Sequence, residues 1–286
     1  MNTTAIINAV AQKLGEGYEV TLNDVVKNNG NKKQGITIRT TDCNIAPTIY
    51  LEDFAEYTDG EIAEKIIEVY ERNRTPEIED VCSIFQDKEQ VLQRAICRIV
   101  NKDQNAETLA NIPHTDCLDL AVTYRVQFNM GGGENATALI NNQHIEHLGI
   151  SLEELDQRAK QNTLSLGFET ISMAKLMQDI YGLPFPMSED DAPMWVISNK
   201  ERFGGATVLC YAKMFSELAV KTGGDLYIIP SSIHEVIAIP VAAGGDTAFL
   251  RDMVSSVNGS EVQPEEVLSN SVYKYSIATG ELEVAA

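Results

Sequence analysis

Asp225-Leu226-Tyr227-Ile228-Ile229-Pro230-Ser231-Ser232-Ile233-His234-Glu235-Val236-Ile237-Ala238-Ile239-Pro240-Val241 is the stretch on which the reading of this chain turns. β-Branched residues dominate 226–229 and 236–239, and a proline closes each run, the pattern of two short strands joined by a turn. The corner between them, Ser231 to Glu235, is polar. An amphipathic helix is expected before the unit, over 205–221, and another after it, over 247–257. The stretch therefore reads as the sheet core of the C-terminal half.

Working outward, residues 3–14 carry Ile6, Ile7, Val10 and Leu14 on one helical stripe. Strands are expected over 18–26 and 35–40, around an Asn-Gly turn, and over 46–50. A helix over 60–72, capped by Thr58 or Asp59, has Ile62, Ala63, Ile66, Ile67 and Tyr70 inward and acidic residues outward. Strands are expected over 81–85 and 95–100, with a helical turn over 87–93 between. Residues 118–128 alternate apolar and polar and give the longest strand, returning over 136–140 past a hairpin loop at Gly131-Gly132-Gly133. Ser151 opens a helix with a capping box to Glu154, and a second helix follows over 170–181. Residues 182–192 read as a surface loop and 194–198 as a strand. A short helix from Pro264 to Leu268 and strands over 272–277 and 282–284 end the chain. Such irregular alternation predicts an α+β fold, mainly antiparallel sheets covered by amphipathic helices, in two α/β subdomains: an α-β-β-α unit over 1–80 and a larger one over 81–286.

The 286 residues hold 22 Lys and Arg against 42 Asp and Glu, a net charge of −20. Such a surface repels phosphate backbones and anionic membranes, so neither nucleic acid nor membrane is an expected partner. Two readings of the acidity stand: an ordinary acidic cytoplasmic protein, or a surface that imitates nucleic acid or attracts a basic partner. Residues 1–5 lack the basic and apolar segments of a secretory signal, and no apolar run reaches membrane-spanning length. The five cysteines, Cys43, Cys82, Cys97, Cys117 and Cys210, are scattered without a Cys-x-x-Cys pair, pointing to free thiols in a reducing cytoplasm.

Residues 226–237, Leu-Tyr-Ile-Ile-Pro-Ser-Ser-Ile-His-Glu-Val-Ile, and 264–273, Pro-Glu-Glu-Val-Leu-Ser-Asn-Ser-Val-Tyr, resemble a bacterial family of unknown function found mainly in Gram-positive anaerobes. Residues 118–126 fit the same family, as do Leu152-Glu153-Glu154-Leu155 with Ala159 and Asn162, and the likeness spans essentially the whole chain. A second uncharacterised cytoplasmic family of bacilli is more distantly similar. The resemblance implies the order of elements and a cytoplasmic setting. It brings no activity, cofactor or site residue.

Candidate chemistry is sparse. His234, with Glu235, Ser231 and Ser232, could serve as base or ligand in a cleft, or the corner could simply satisfy its own backbone. His144 and His147 lie three residues apart, one helical turn, but zinc sites on helices use a four-residue spacing and a third ligand. Cys117 stands between Asp116 and Asp119, which oppose a thiolate, with His114 nearby to offset them. No cofactor is called for. The leading expectation is a non-catalytic protein-binding module, the alternative a small-molecule or metal-dependent enzyme sited at Ser231 to Glu235, and the third an acidic nucleic-acid mimic. An enzyme would bring His234 together with His114 or Cys117 in a pocket. A binding protein would expose an apolar patch.

Overall fold

The computed structural model describes residues 2–40, 48–73, 81–129, 135–182 and 193–286. Helix α1 (Thr3–Leu14) starts where the Asn2 side chain accepts the Ala5 N–H. Strands β1 (Tyr18–Val26) and β2 (Lys32–Thr40) form a hairpin, with β3 (Thr48–Tyr50) on the free edge of β2. Their 3-10 turn, Asn28–Gly30, puts Asn29 and Gly30 at φ of 60° and 66°, a region these two residue types tolerate. Helix α2 (Asp59–Asn73) sends Ile62, Ala63 and Ile66 against Ile6 and Val10 of α1 and Ile36 and Ile38 of β2.

The middle of the chain runs α3 (Val81–Ile84), α4 (Lys88–Arg94), β4 (Ala95–Asn101), α5 (Ala106–Leu109), β5 (His114–Cys117), β6 (Leu120–Asn129), β7 (Asn135–Leu139), α6 (Asn142–Leu148) and α7 (Leu152–Ser165). Strand β6 is its axis: β4 pairs along one edge, β5 and β7 along the other. Leu120, Val122, Tyr124, Val126 and Phe128 point into the main core, as a period of two requires. The other face carries Ala121, Thr123 and Arg125. Helix α7 covers the core face, burying Leu155, Ala159 and Thr163. Asn162 fixes it there by donating to the Leu92, Gln93 and Ala95 carbonyls at 3.0, 3.1 and 2.8 Å, acceptors that the end of α4 leaves unpaired.

The remainder is β8 (Phe168–Ser172), α8 (Met173–Tyr181), β9 (Trp195–Asn199), two 3-10 turns (Gly205–Cys210 and Ala212–Phe215), α9 (Ser216–Thr222), β10 (Leu226–Pro230), β11 (Val236–Pro240), α10 (Val241–Gly244), α11 (Thr247–Ser260), β12 (Tyr273–Tyr275) and β13 (Leu282–Val284). The strands form a sheet of order β13-β12-β10-β11-β9-β8, with the β10–β11 hairpin at its centre. Leu226, Ile228, Val236 and Ala238 join the main core, while Tyr227, Ile229 and Ile239 meet Leu250 and Val254 of α11. Burial on both faces explains why these strands read as continuous apolar runs. Truncating Ile228, fully buried, to alanine would cost about 2–5 kcal/mol. All strand pairs among the described residues are antiparallel, so the α+β expectation holds. No helix among them is long and apolar enough to cross a membrane.

Several local expectations are corrected. Residues 81–84 are helical, not a strand, and the helix expected over 170–181 begins at Met173, residues 170–172 belonging to β8. β5 had no counterpart in the sequence reading, and Leu118 lies in the turn after it at φ of 58°. The expected helix over 205–221 is two 3-10 turns and a short α-helix. Gly205 through Leu209 are buried on every side, so no amphipathic face exists to organise a longer helix. Where a short helix was expected over 264–268, residues 264–266 form a turn and 267–268 are irregular. Ser151 accepts the Glu154 N–H, but the Glu154 carboxylate turns to Lys88 at 2.8 Å, leaving the capping box half made, and Leu152 is exposed. Gly131-Gly132-Gly133, Pro76 and most of 182–192 lie outside the described residues.

Candidate anion-binding pocket

A cavity of about 530 Å³ lies on the face of β6 turned away from the core. Register explains its most unusual feature. Arg98 of β4 pairs with Thr123 and Arg125 sits two residues along β6, so the two arginines are diagonal neighbours on one face. Both line the cavity, and Arg98 is only 8% exposed. Among the described residues its side chain donates one hydrogen bond, to the Cys97 carbonyl at 3.3 Å. Arg125 donates to the Thr137 hydroxyl and carbonyl at 2.8 and 3.2 Å. Neither forms an ion pair among the described residues. Burial, and then the neighbouring Arg125, pull the Arg98 guanidinium down to about 10, with Glu201 and Cys97 acting weakly the other way. Burial also lowers Arg125. Both stay charged at neutral pH.

The rest of the wall comes from three other parts of the chain. Gly204 has φ of +68°, and a Cβ there would lie 2.3 Å from Arg98 Nε, so only glycine lets the backbone close over the guanidinium. The Phe203 ring carries the Arg98 guanidinium over it at 5.2 Å and lies tilted against the His234 imidazole, 5.1 Å away. The β1–β2 turn forms another side. Asn29 donates to the Pro264 and Val267 carbonyls, at 2.8 and 2.7 Å, and Asn28 to Glu265 O at 2.8 Å. That leaves Asn28 Oδ1 buried without a donor at the cavity wall. Glu265 is neutralised by Lys33, whose hydrogen bond holds the carboxyl below its usual range. Ile99, Leu109, Ile112 and Leu139 supply an apolar floor.

His234, expected from the sequence, is therefore in a pocket, but without His114 or Cys117. Its Nδ1 accepts the Gly204 N–H at 3.1 Å, and its Nε2 faces Glu266 Oε1 at 3.5 Å. Both ring nitrogens are thus engaged within the protein, and His234 positions the wall. Ser232 accepts the His234 backbone N–H at 3.0 Å, and Ser231, Ser232 and Glu235 lie outside the cavity lining. His114 Nδ1 bonds to the Ile112 carbonyl at 3.1 Å on the far edge of the middle sheet. His144 is no exposed ligand: it completes a capping box with Asn141 and stacks on Phe85 at 4.2 Å, and burial lowers its pKa. His147 is exposed on the same helix. Among the described residues no three His, Cys, Asp or Glu side chains cluster as metal ligands.

The two arginines were missed in the sequence reading. A signal was present: Ala-Ile-Cys-Arg-Ile-Val, residues 95–100, is an apolar strand interrupted by one cation, and buried charges are rare without a purpose. The three strings 118–126, 226–237 and 264–273 that carried the family resemblance meet here. Arg125, His234 and Glu266 line the cavity, and Ile233 N–H donates to Glu266 O at 2.9 Å.

Comparison with curated proteins and with solved structures found no match to this chain. A family match covers residues 3–277, nearly all of the described fold and every residue of the pocket. The chain belongs to the family of unknown function DUF5688.

Proposed function

We propose that the protein binds a small organic anion, its phosphate or carboxylate head held by Arg98 and Arg125. One observation carries this reading: the buried Arg98 and the half-buried Arg125 share a cavity wall and, among the described residues, neither forms an ion pair, the two carboxylates of the lining being turned to Lys33 and His234. Leaving a buried cation uncompensated costs several kcal/mol, and a bidentate oxyanion supplies the missing partner. In a chain of net charge −20, anions are repelled from the surface at large, so a local cationic recess sets where one enters. The volume falls in the usual range for small-ligand sites. Phe203 and the apolar floor suit a flat or apolar body, and Asn28 Oδ1 suits a donor on it. With both His234 nitrogens occupied, binding is favoured over catalysis.

A thermal-shift panel of inorganic phosphate, phenyl phosphate and benzoate tests it. Phenyl phosphate should raise Tm saturably, by the equivalent of about 2.7 kcal/mol at a hundred times Kd, and Arg98→Met should abolish the rise. A panel without any shift, or an equal shift in the variant, overturns it.

A protein partner is the second reading, carried by α11. Phe249, Met253 and Val257 are 66%, 40% and 45% exposed and recur every four residues, one apolar stripe beside the buried Leu250 and Val254. Phe249→Asp with Met253→Asp should abolish capture of a stoichiometric partner from host lysate while leaving the fold intact. Unchanged capture would remove α11 from that role.

A further inference from the structure

Three of the five cysteines, at positions 97, 117 and 210, converge on the core face of the middle sheet around Lys160 of α7. Cys117 ends β5 and Cys210 ends the 3-10 turn Gly205–Cys210, far apart in sequence. Their thiols interact directly with each other and both line an open cleft of about 560 Å³ with Leu118, Leu209 and Lys274. Both are half-buried, whereas Cys97 is fully buried against α7. All three are free thiols.

We propose that Cys117 and Cys210 are a reversible redox pair that closes to an internal disulfide by exchange with a low-molecular-weight disulfide entering the cleft. The Cys117 thiolate attacks one sulfur of the incoming disulfide, forming a mixed disulfide and expelling one thiolate. Cys210 then loses its proton to solvent and attacks the Cys117 sulfur, expelling the second thiolate. Two protein thiols are oxidised and one external disulfide is reduced to two thiols, so electrons and atoms balance.

The local electrostatics fit this order. The hydrogen bond from Cys210 lowers the Cys117 pKa and Lys160 adds to it, outweighing burial and Asp119. Cys210, which keeps the shared proton, is held well above the ordinary thiol range. This corrects the expectation that neighbouring carboxylates decide Cys117: the deciding group lies on another element. A thiolate-leaning attacking thiol beside a protonated resolving thiol is the arrangement thiol–disulfide exchange uses.

The test equilibrates the full chain with oxidised and reduced glutathione, traps remaining thiols with N-ethylmaleimide and maps peptides by mass spectrometry. The proposal expects a peptide cross-linked between residues 117 and 210 and reversal by excess reduced glutathione. In Cys210→Ser, Cys117 should stop as a glutathione adduct, and Cys97→Ser should leave the cross-link intact. A stable glutathione adduct on Cys117 in the unaltered chain, a cross-link to Cys97 instead, or full alkylation of both thiols under oxidising conditions would each overturn it. The unaltered chain alone decides the matter should a variant fail to fold.

Discussion

The two faces of the middle sheet solve the same problem in opposite ways. On the core face, Asp156 of α7 accepts the Tyr124 hydroxyl at 2.7 Å, the Thr115 hydroxyl at 3.3 Å and the Lys160 ammonium at 2.7 Å. Tyr211 donates to the Lys160 carbonyl at 3.1 Å, and Thr163 links the Cys97 N–H to the Ala159 carbonyl. Charge and hydroxyls there satisfy one another. On the other face, Arg98 and Arg125 have, among the described residues, only hydroxyl and carbonyl acceptors. A network complete in itself specifies packing, whereas one that lacks an anion specifies a ligand.

The comparison breaks most visibly at Asp156. Asp156→Ala strands Tyr124 and the partly exposed Lys160 and should cost about 2–4 kcal/mol in urea unfolding. A loss below about 1 kcal/mol would mean that the core-face network contributes little.

Cys97 sharpens it through pH. Burial raises its pKa to about 11 from the ordinary thiol value of 9.0. Below pH 9 the thiol is neutral in both folded and unfolded chains and nothing changes. Between 9 and 11 the unfolded chain gives up the proton and the folded one does not, so stability falls as pH rises, by at most about 1.4 kcal/mol per pH unit. Unfolding measured from pH 8 to 11 should show this loss in the natural chain and not in Cys97→Ser. Parallel curves would remove Cys97 from the account.

Gly204→Ala probes the pocket wall. A non-glycine residue at φ of +68° costs about 1–2 kcal/mol, and its Cβ must displace Arg98. Lower Tm with weaker anion binding is expected. Unchanged affinity would mean that Arg98 is not held in place by the Gly204 backbone.

The smallest stability effect belongs to Arg98→Met. Without ligand, unfolding free energy should not fall and should, if anything, rise, because a buried cation without a counter-ion costs the fold and the methionine removes that cost. A large destabilisation would mean that Arg98, like Asp156, serves the fold.

The parts of this arrangement set by local pattern were legible in the sequence. The β10–β11 hairpin followed from two β-branched runs closed by Pro230 and Pro240, and β6 from strict alternation between Leu120 and Phe128. Of the polar corner, Ile233 and His234 line the cavity, whereas Ser231, Ser232 and Glu235 do not. What failed was non-local. Residues 205–221 carry a helical period, yet Gly205 must pass within contact of Ser198 and the His234 carbonyl, and a regular helix is lost. Arg98 and Arg125 become neighbours only through the β4–β6 register, and Cys117 meets Cys210 only after the two sheets pack.

The most direct test is isothermal titration of phenyl phosphate into the natural chain and into Arg98→Met. A single saturable site in the natural chain, weakened at least tenfold in the variant, is the predicted result. Indistinguishable heats for the two proteins would contradict the claim that this pocket awaits an anion.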